Sequence, residues 1–234
     1  MNSAPHTQSS AATRFVAWSG LAAAAGAVLF IATIVLAGIR YPRYSHVDQM
    51  ISELGGSGAP HPGIQNTGFV LFGIAVVAFA IGLMVDEGRV VVGAVLIGAL
   101  GLFGTTLEGV VHCDTGCLGK TDQGAAHLAS GFVGFVAGVV GLFLLARRWR
   151  TDPNRADDAR ITRVFGWCAL IGLGLFVASG AAEATQIDGL AQRIFVAPLL
   201  AWFISIGWRR YRAQQGHRSP HPEPVSTPAP SPSS

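Results

Sequence analysis

The sequence predicts an all-α fold, a polytopic bundle of six transmembrane helices. Three observations carry that expectation. Hydrophobic residues make up 50% of the chain and charged residues only 12%, whereas an average domain is about 25% charged. Mean hydropathy is +0.46. The apolar residues are gathered into six long runs, separated by short segments that hold most of the charge. This composition excludes a disordered chain, a collagen-like chain and an ordinary soluble enzyme. Three cysteines are too few for a disulfide-rich scaffold.

Each run is judged against a bilayer core about 30 Å thick, which takes roughly 20 apolar helical residues to cross. Residues 15–39 and 64–85 carry no charge. Residues 90–107 lie between Arg89 and Glu108, and residues 124–146 hold one ionisable group, His127. Residues 164–182 lie between Arg163 and Glu183. The last run, 194–208, is bounded by Arg193 and Arg209 and interrupted by Pro198. At about 1.5 Å per residue it is too short alone, so Arg193 must sit at the membrane edge or snorkel outward. The first run is longer than the roughly 7–15 apolar residues of a signal peptide and is read as a retained helix.

Basic residues near helix ends set orientation. Of the 16 Lys and Arg, twelve fall on one face. They are Arg14, Arg89, six around the fourth-to-fifth connection (Arg147, Arg148, Arg150, Arg155, Arg160, Arg163), and Arg209, Arg210, Arg212 and Arg218. The other face has Arg40, Arg43, Lys120 and Arg193. Both termini of a multi-pass cell-membrane protein are therefore expected in the cytoplasm. The basic segments are juxtamembrane, which points to membrane lipid and not to nucleic acid. Residues 1–13 and the Pro/Ser-rich 211–234 have the composition of disordered cytoplasmic ends, flanking a transmembrane domain over 14–210.

The first outer loop has its own pattern. Ser45 and Asp48 fit a capping box, and Val47, Met50, Ile51 and Leu54 repeat at helical spacing. Gly55 stands where a helix would stop. A short amphipathic helix over about residues 46–54 is expected, with His46, Gln49 and Glu53 on one polar face and Asp48 and Ser52 beside it. That face is either a wet connector or a lid over a site.

Ionisable groups also collect at the outer ends of the spans. Glu108 closes the third and His112 lies four residues on. His127 opens the fourth, Glu183 closes the fifth, and Gln186, Asp188, Gln192 and Arg193 lead into the sixth. Such groups cost several kcal/mol inside a membrane unless paired or hydrated. A carboxylate partner for Arg193, from Glu183 or Glu108, is expected. In the second outer loop, Cys113 and Cys117 are read as a disulfide, as befits an oxidising exterior, or as metal donors with His127, His112 and Asp114. Free thiols are a third possibility. Cys168 reads as a small apolar filler. The glycines of the third and fourth spans, Gly98, Gly101, Gly104, Gly131, Gly134, Gly138 and Gly141, are spaced for close helix packing.

The stretch Tyr44-Ser45-His46-Val47-Asp48-Gln49-Met50-Ile51-Ser52-Glu53-Leu54-Gly55, with Gly58-Ala59-Pro60, resembles the first outer loop of domain-of-unknown-function family 998. Cys113-Asp114-Thr115-Gly116-Cys117 with His127 is similar to that family's second outer motif, and Gly189-Leu190-Ala191-Gln192-Arg193 to its approach to the last helix. The resemblance spans about residues 15–210 and implies a six-helix membrane protein. His112 departs from the expected pattern. The resemblance implies no chemistry.

Three functions stay open. The outer face binds a small ligand or lipid head group through Ser45, His46, Asp48, Gln49, Glu53, Glu108, Asp114, His127, Glu183 and Arg193. Alternatively the chain is a membrane-embedded metal-dependent hydrolase, with His127, Asp114, Cys113 and Cys117 as donors, or a structural accessory protein. Neither H-E-x-x-H nor G-x-S-x-G is present, and no motif names a cofactor. The spans lack ionisable groups at mid-depth, which argues against a channel or proton-coupled pump.

Overall fold

The computed structural model describes residues 10–181 and 186–216. The first long helix, α1, covers Ser10–Arg40, and α2 covers Pro62–Glu87. A third span is built in three pieces: α3 (Val92–Gly101), a π-helical turn (Leu102–Thr106) and α4 (Leu107–Val110). Then follow α5 (Asp122–Trp149), α6 (Ala156–Ala181) and α7 (Asp188–Gly216). Among the described residues six helical segments are long and apolar enough to cross a membrane: Ala11–Arg40, Pro62–Glu87, Val92–Val110, Asp122–Trp149, Pro153–Ala181 and Asp188–Ala213. The six runs of the sequence thus become six spans, each extending past its apolar stretch into flanking polar residues.

The last span shows how. The helix runs through Pro198, which a membrane helix tolerates because its neighbours re-satisfy the freed backbone. It begins five residues before Arg193, so the arginine lies inside the helix and the span reaches full length.

The spans form a closed up-and-down ring in which α1 packs on α2, α2 on α3, α3 on α5, α5 on α6, α6 on α7, and α7 back on α1. Aromatic side chains fill the centre. Phe72 meets Phe203 edge-on at 5.4 Å, and Phe79 meets Trp202 at 5.9 Å. The one polar end of this cluster is satisfied, because Trp202 Nε1 donates to Thr162 Oγ1 at 2.9 Å. Glycine sets the closest helix approach. A Cβ at Gly134 of α5 would collide with the Gly104 backbone in the π turn, so these two chains meet backbone to backbone.

The end of the ring that holds the basic residues is tied by ion pairs rather than left to solvent. Asp86 accepts from Arg155 (2.8 Å) and Arg210 (2.6 Å). Glu87 accepts from Arg148 (2.9 Å), Arg155 (2.6 Å) and Trp149 Nε1 (3.2 Å). Asp158 accepts from Arg209 at 2.6 Å. These bonds join α2, α5, α6 and α7. Carboxylates at the ends of α2 and α6 thus claim these arginines, a pairing that charge counting along the chain does not show. Cys168 is exposed on its helix and fills no core position.

Candidate functional site

The opposite end of the ring carries the two long loops, residues 41–61 and 111–121. In the first, the expected helix over 46–54 is replaced by turns and a shorter 3-10 helix, Ser52–Gly55. The reason is competition for its backbone groups. Gln49 Oε1 accepts the Ser45 N–H (3.0 Å), and Glu53 Oε1 accepts the Met50 N–H (2.8 Å). Ser45 Oγ accepts from Asp48 N at 3.2 Å, half of a capping box. With the Met50 N–H diverted to Glu53, and the Val47 and Asp48 carbonyls taken by Leu190 N (2.8 Å) and Gly189 N (3.4 Å), the helical ladder does not propagate. Ile51 and Leu54 are buried as the stripe requires, while Val47 is exposed.

Arg193 clamps this loop to α7. Its guanidinium donates to the carbonyls of Gln49 (2.9 Å) and Gly189 (2.8 Å), to Tyr44 Oη (2.7 Å) and to His46 Nδ1 (2.9 Å). Among the described residues its partners are oxygen dipoles and an imidazole, and no carboxylate. Glu108 is paired elsewhere, and Glu183 lies outside the described residues. Because Arg193 donates to His46 Nδ1, that imidazole must be neutral. Its pKa is lowered, first by desolvation and then by the Arg193 charge. Burial raises the Tyr44 phenol above its ordinary value against the opposing charge of Arg193, so Tyr44 keeps its proton and donates to Met50 O at 2.8 Å.

The second loop is closed by Asp114. Its carboxylate accepts from the backbone of Gly119 (3.1 Å), Lys120 (2.5 Å) and Thr121 (3.1 Å). Desolvation is the largest single influence and works to raise its pKa, but the backbone N–H donors, Thr121 first, together outweigh it and hold the carboxyl below its usual range. Asp114 is thus occupied as a loop brace, and Thr121 caps α5 by accepting from Gly124 N at 2.9 Å. Cys113 and Cys117 are joined in a disulfide. Their sulfurs and a ring nitrogen of His127 all lie within 4.8 Å of one another. His112 is set apart, because α4 stops at Val110 and Val111 is extended.

Between the loops lies a buried polar pair. Glu108 is 3% exposed and His127 2%. His127 Nε2 and Glu108 Oε2 are 2.8 Å apart, Ser130 Oγ donates to Glu108 Oε1 at 2.7 Å, and His127 Nδ1 faces the Val111 carbonyl at 2.7 Å. A carbonyl only accepts, so Nδ1 carries a hydrogen. The short Nε2–Oε2 contact then needs one more proton shared between the two. Whether written as imidazolium–carboxylate or imidazole–carboxylic acid, the pair has no net charge, which suits its burial.

Two local devices put Glu108 there. The π turn adds a residue to one turn of the third span, with Thr105 and Thr106 hydroxyls donating to Gly101 O at 2.7 and 2.8 Å. Every residue beyond it is rotated by about 100° relative to a plain α-helix. Across the interface, Gly131 has no side chain, and a Cβ there would sit 3.2 Å from both Glu108 oxygens. Next to the pair, Gln192 Oε1 accepts from Ile51 N at 2.5 Å and its Nε2 donates to Ser52 Oγ at 3.2 Å.

A groove of about 190 Å³ reaches this cluster between α5, α6 and α7. Its polar lining is Ser52, Glu108, His127 and Gln192, and its walls include Phe132, Phe135, Leu173, Phe176 and Val177. Phe132 and Val177 are more than half exposed, so the walls continue onto the outer surface of the spans. Of the residues singled out in the sequence, Glu108 and His127 meet in this groove. Ser45, His46, Gln49, Glu53 and Arg193 form the loop clamp beside it, Asp114 braces the second loop, and Asp48 is exposed. Ser130 and Gln192 were not among the ligand-binding candidates. Ser130 stands three residues after His127 on the same helical face, a spacing that marks it.

A family model described as "Protein of unknown function (DUF998)" matches residues 24–209 of the chain. No curated protein and no solved structure matches it.

Proposed function

Since the chain belongs to the DUF998 family, whose description assigns no activity, we propose a function from the geometry: it holds an amphiphile in the groove between α5, α6 and α7. The polar head lies on Ser52, the Glu108–His127 pair and Gln192, and the apolar tail lies along Phe132, Leu173, Phe176 and Val177. One observation carries the reading: a buried hydrogen-bonding cluster lines an apolar groove whose walls continue onto the surface of the spans. Apolar pockets with a few convergent polar groups are the usual form of a small-molecule site. The arginine distribution supports an extracytoplasmic position for this end, with both termini in the cytoplasm.

The test is native mass spectrometry of the protein released from membrane extracts, beside Val177→Trp, which fills the groove from a lipid-exposed position. The expected result is an amphiphile retained by the parent protein and lost from the variant. Equal retention, or none in either, refutes the reading. The gathering of Cys113, Cys117 and His127 favours a second reading, a metal bound after reduction of the disulfide. About one metal ion per reduced chain, lost in His127→Ala, supports it.

A further inference from the structure

A second site lies at the opposite end of the ring, between the end of α5 and the start of α6. A cleft of about 520 Å³ is lined there by Arg147, Arg150, Arg160 and Arg163 over a floor that includes Phe143 and Ala159. The four arginines differ from their neighbours. Arg148, Arg155, Arg209 and Arg210 are each paired with Asp86, Glu87 or Asp158 at 2.6–2.9 Å. Among the described residues, the one carboxylate within 4.0 Å of a cleft arginine is Asp157, 3.8 Å from Arg160, with both side chains about three-quarters exposed. Such a pair contributes little. Four guanidiniums therefore converge on one cleft with almost no internal counter-charge, while carboxylates a helix away neutralise the others.

Position and shape narrow the ligand. Arg147 and Arg150 lie at the end of one span and Arg160 and Arg163 in the first turns of the next, so the cleft is level with the membrane boundary. Phe143 sits one turn deeper on the membrane side of the guanidiniums. A soluble anion would have no use for an apolar floor that continues into the bilayer, whereas a phospholipid presents phosphate above acyl chain. Guanidinium binds phosphate oxygens bidentately, and basic pockets between transmembrane helices hold anionic head groups. We propose that this cleft binds the phosphate head group of an anionic phospholipid.

The test is native mass spectrometry of the detergent-solubilised full chain titrated with phosphatidylglycerol, with phosphatidylcholine and with inorganic phosphate. The parent protein is expected to prefer phosphatidylglycerol over phosphatidylcholine. Arg147→Gln with Arg163→Gln should weaken phosphatidylglycerol binding about thirty-fold, the effect of removing two interfacial arginines. Arg212→Gln, an equal charge change per residue outside the cleft, should leave it unchanged. Because the cleft residues are exposed, the double variant is expected to stay folded. Should it fail to do so, Arg147→Lys with Arg163→Lys keeps the charge and should lose part of the binding through loss of bidentate contacts. Three results overturn the proposal: no preference in the parent protein, an equal loss in Arg212→Gln, or displacement of the lipid by millimolar inorganic phosphate.

Discussion

Replacing one partner of the Glu108–His127 pair is expected to cost far more than replacing both. The two side chains are 3% and 2% exposed and meet at 2.8 Å. His127→Leu leaves Glu108 with Ser130 alone and strands the Val111 carbonyl, which the ring nitrogen now satisfies at 2.7 Å. Breaking a buried pair from one side costs about 3–5 kcal/mol, because the group left behind is desolvated and unpaired. Glu108→Leu leaves an equally orphaned imidazole. Replacing both by apolar side chains removes the orphan and is neutral or stabilising in many proteins. The expected pattern is therefore two damaging single variants and a double variant that recovers most of the loss. At about 2–4 °C per kcal/mol for a chain of this size, each single variant lowers the unfolding temperature by on the order of 10 °C. Thermal unfolding of the four proteins in one detergent measures it. Additive losses would refute the reasoning, because they would mean that the two side chains do not depend on each other.

Three further outcomes follow from other contacts. The His46–Arg193 contact should be pH-dependent: His46 has a lowered pKa, so its contribution is complete above the ordinary imidazole value of about 6.5, declines as the pH falls below it, and is gone under the lowered folded value. Hydrogen exchange across residues 44–50 should then speed up on acidification in the parent protein and be pH-insensitive, after correction for intrinsic rates, in His46→Ala. A Cβ at Gly189 would stand 2.7 Å from the Gln49 carbonyl carbon, so Gly189→Ala should cost about 1–3 kcal/mol and loosen the first loop. Gly174→Ala, with open space around it, should be neutral or better, and parallel unfolding curves check both. Replacing Cys113 and Cys117 by Ser opens a loop with a sequence separation of 4, for which chain entropy gives a loss of about 2 kcal/mol. Denaturant titration of parent and variant, with non-reducing mass analysis, measures it.

Some features could be read from the chain and others could not. The six spans were legible because the criterion is local: enough consecutive apolar residues to cover the bilayer core. The gathering of Glu108 and His127 at one end was legible for the same reason, since distance along a helix sets depth. The first loop was less so. Its apolar spacing suggested a helix, but Glu53 folds back on the Met50 N–H and the start of α7 takes the Val47 and Asp48 carbonyls, and periodicity does not register that competition. The polar partners of Arg193 were not legible either: they are carbonyls, the Tyr44 hydroxyl and His46.

The sequence by itself thus determined how many helices are long and apolar enough to cross a membrane and where along its helix each polar group lies, because both depend on residues adjacent along one helix. Only the tertiary structure decided which way each group points and what it meets. The π turn rotates Glu108 toward α5, glycines at 104, 131 and 134 let the helices close around it, and acidic ends of α2 and α6 take some arginines while leaving those of the α5–α6 cleft with almost no counter-charge. Those outcomes depend on rotation about helix axes and on backbone approach between distant segments, and packing alone sets them.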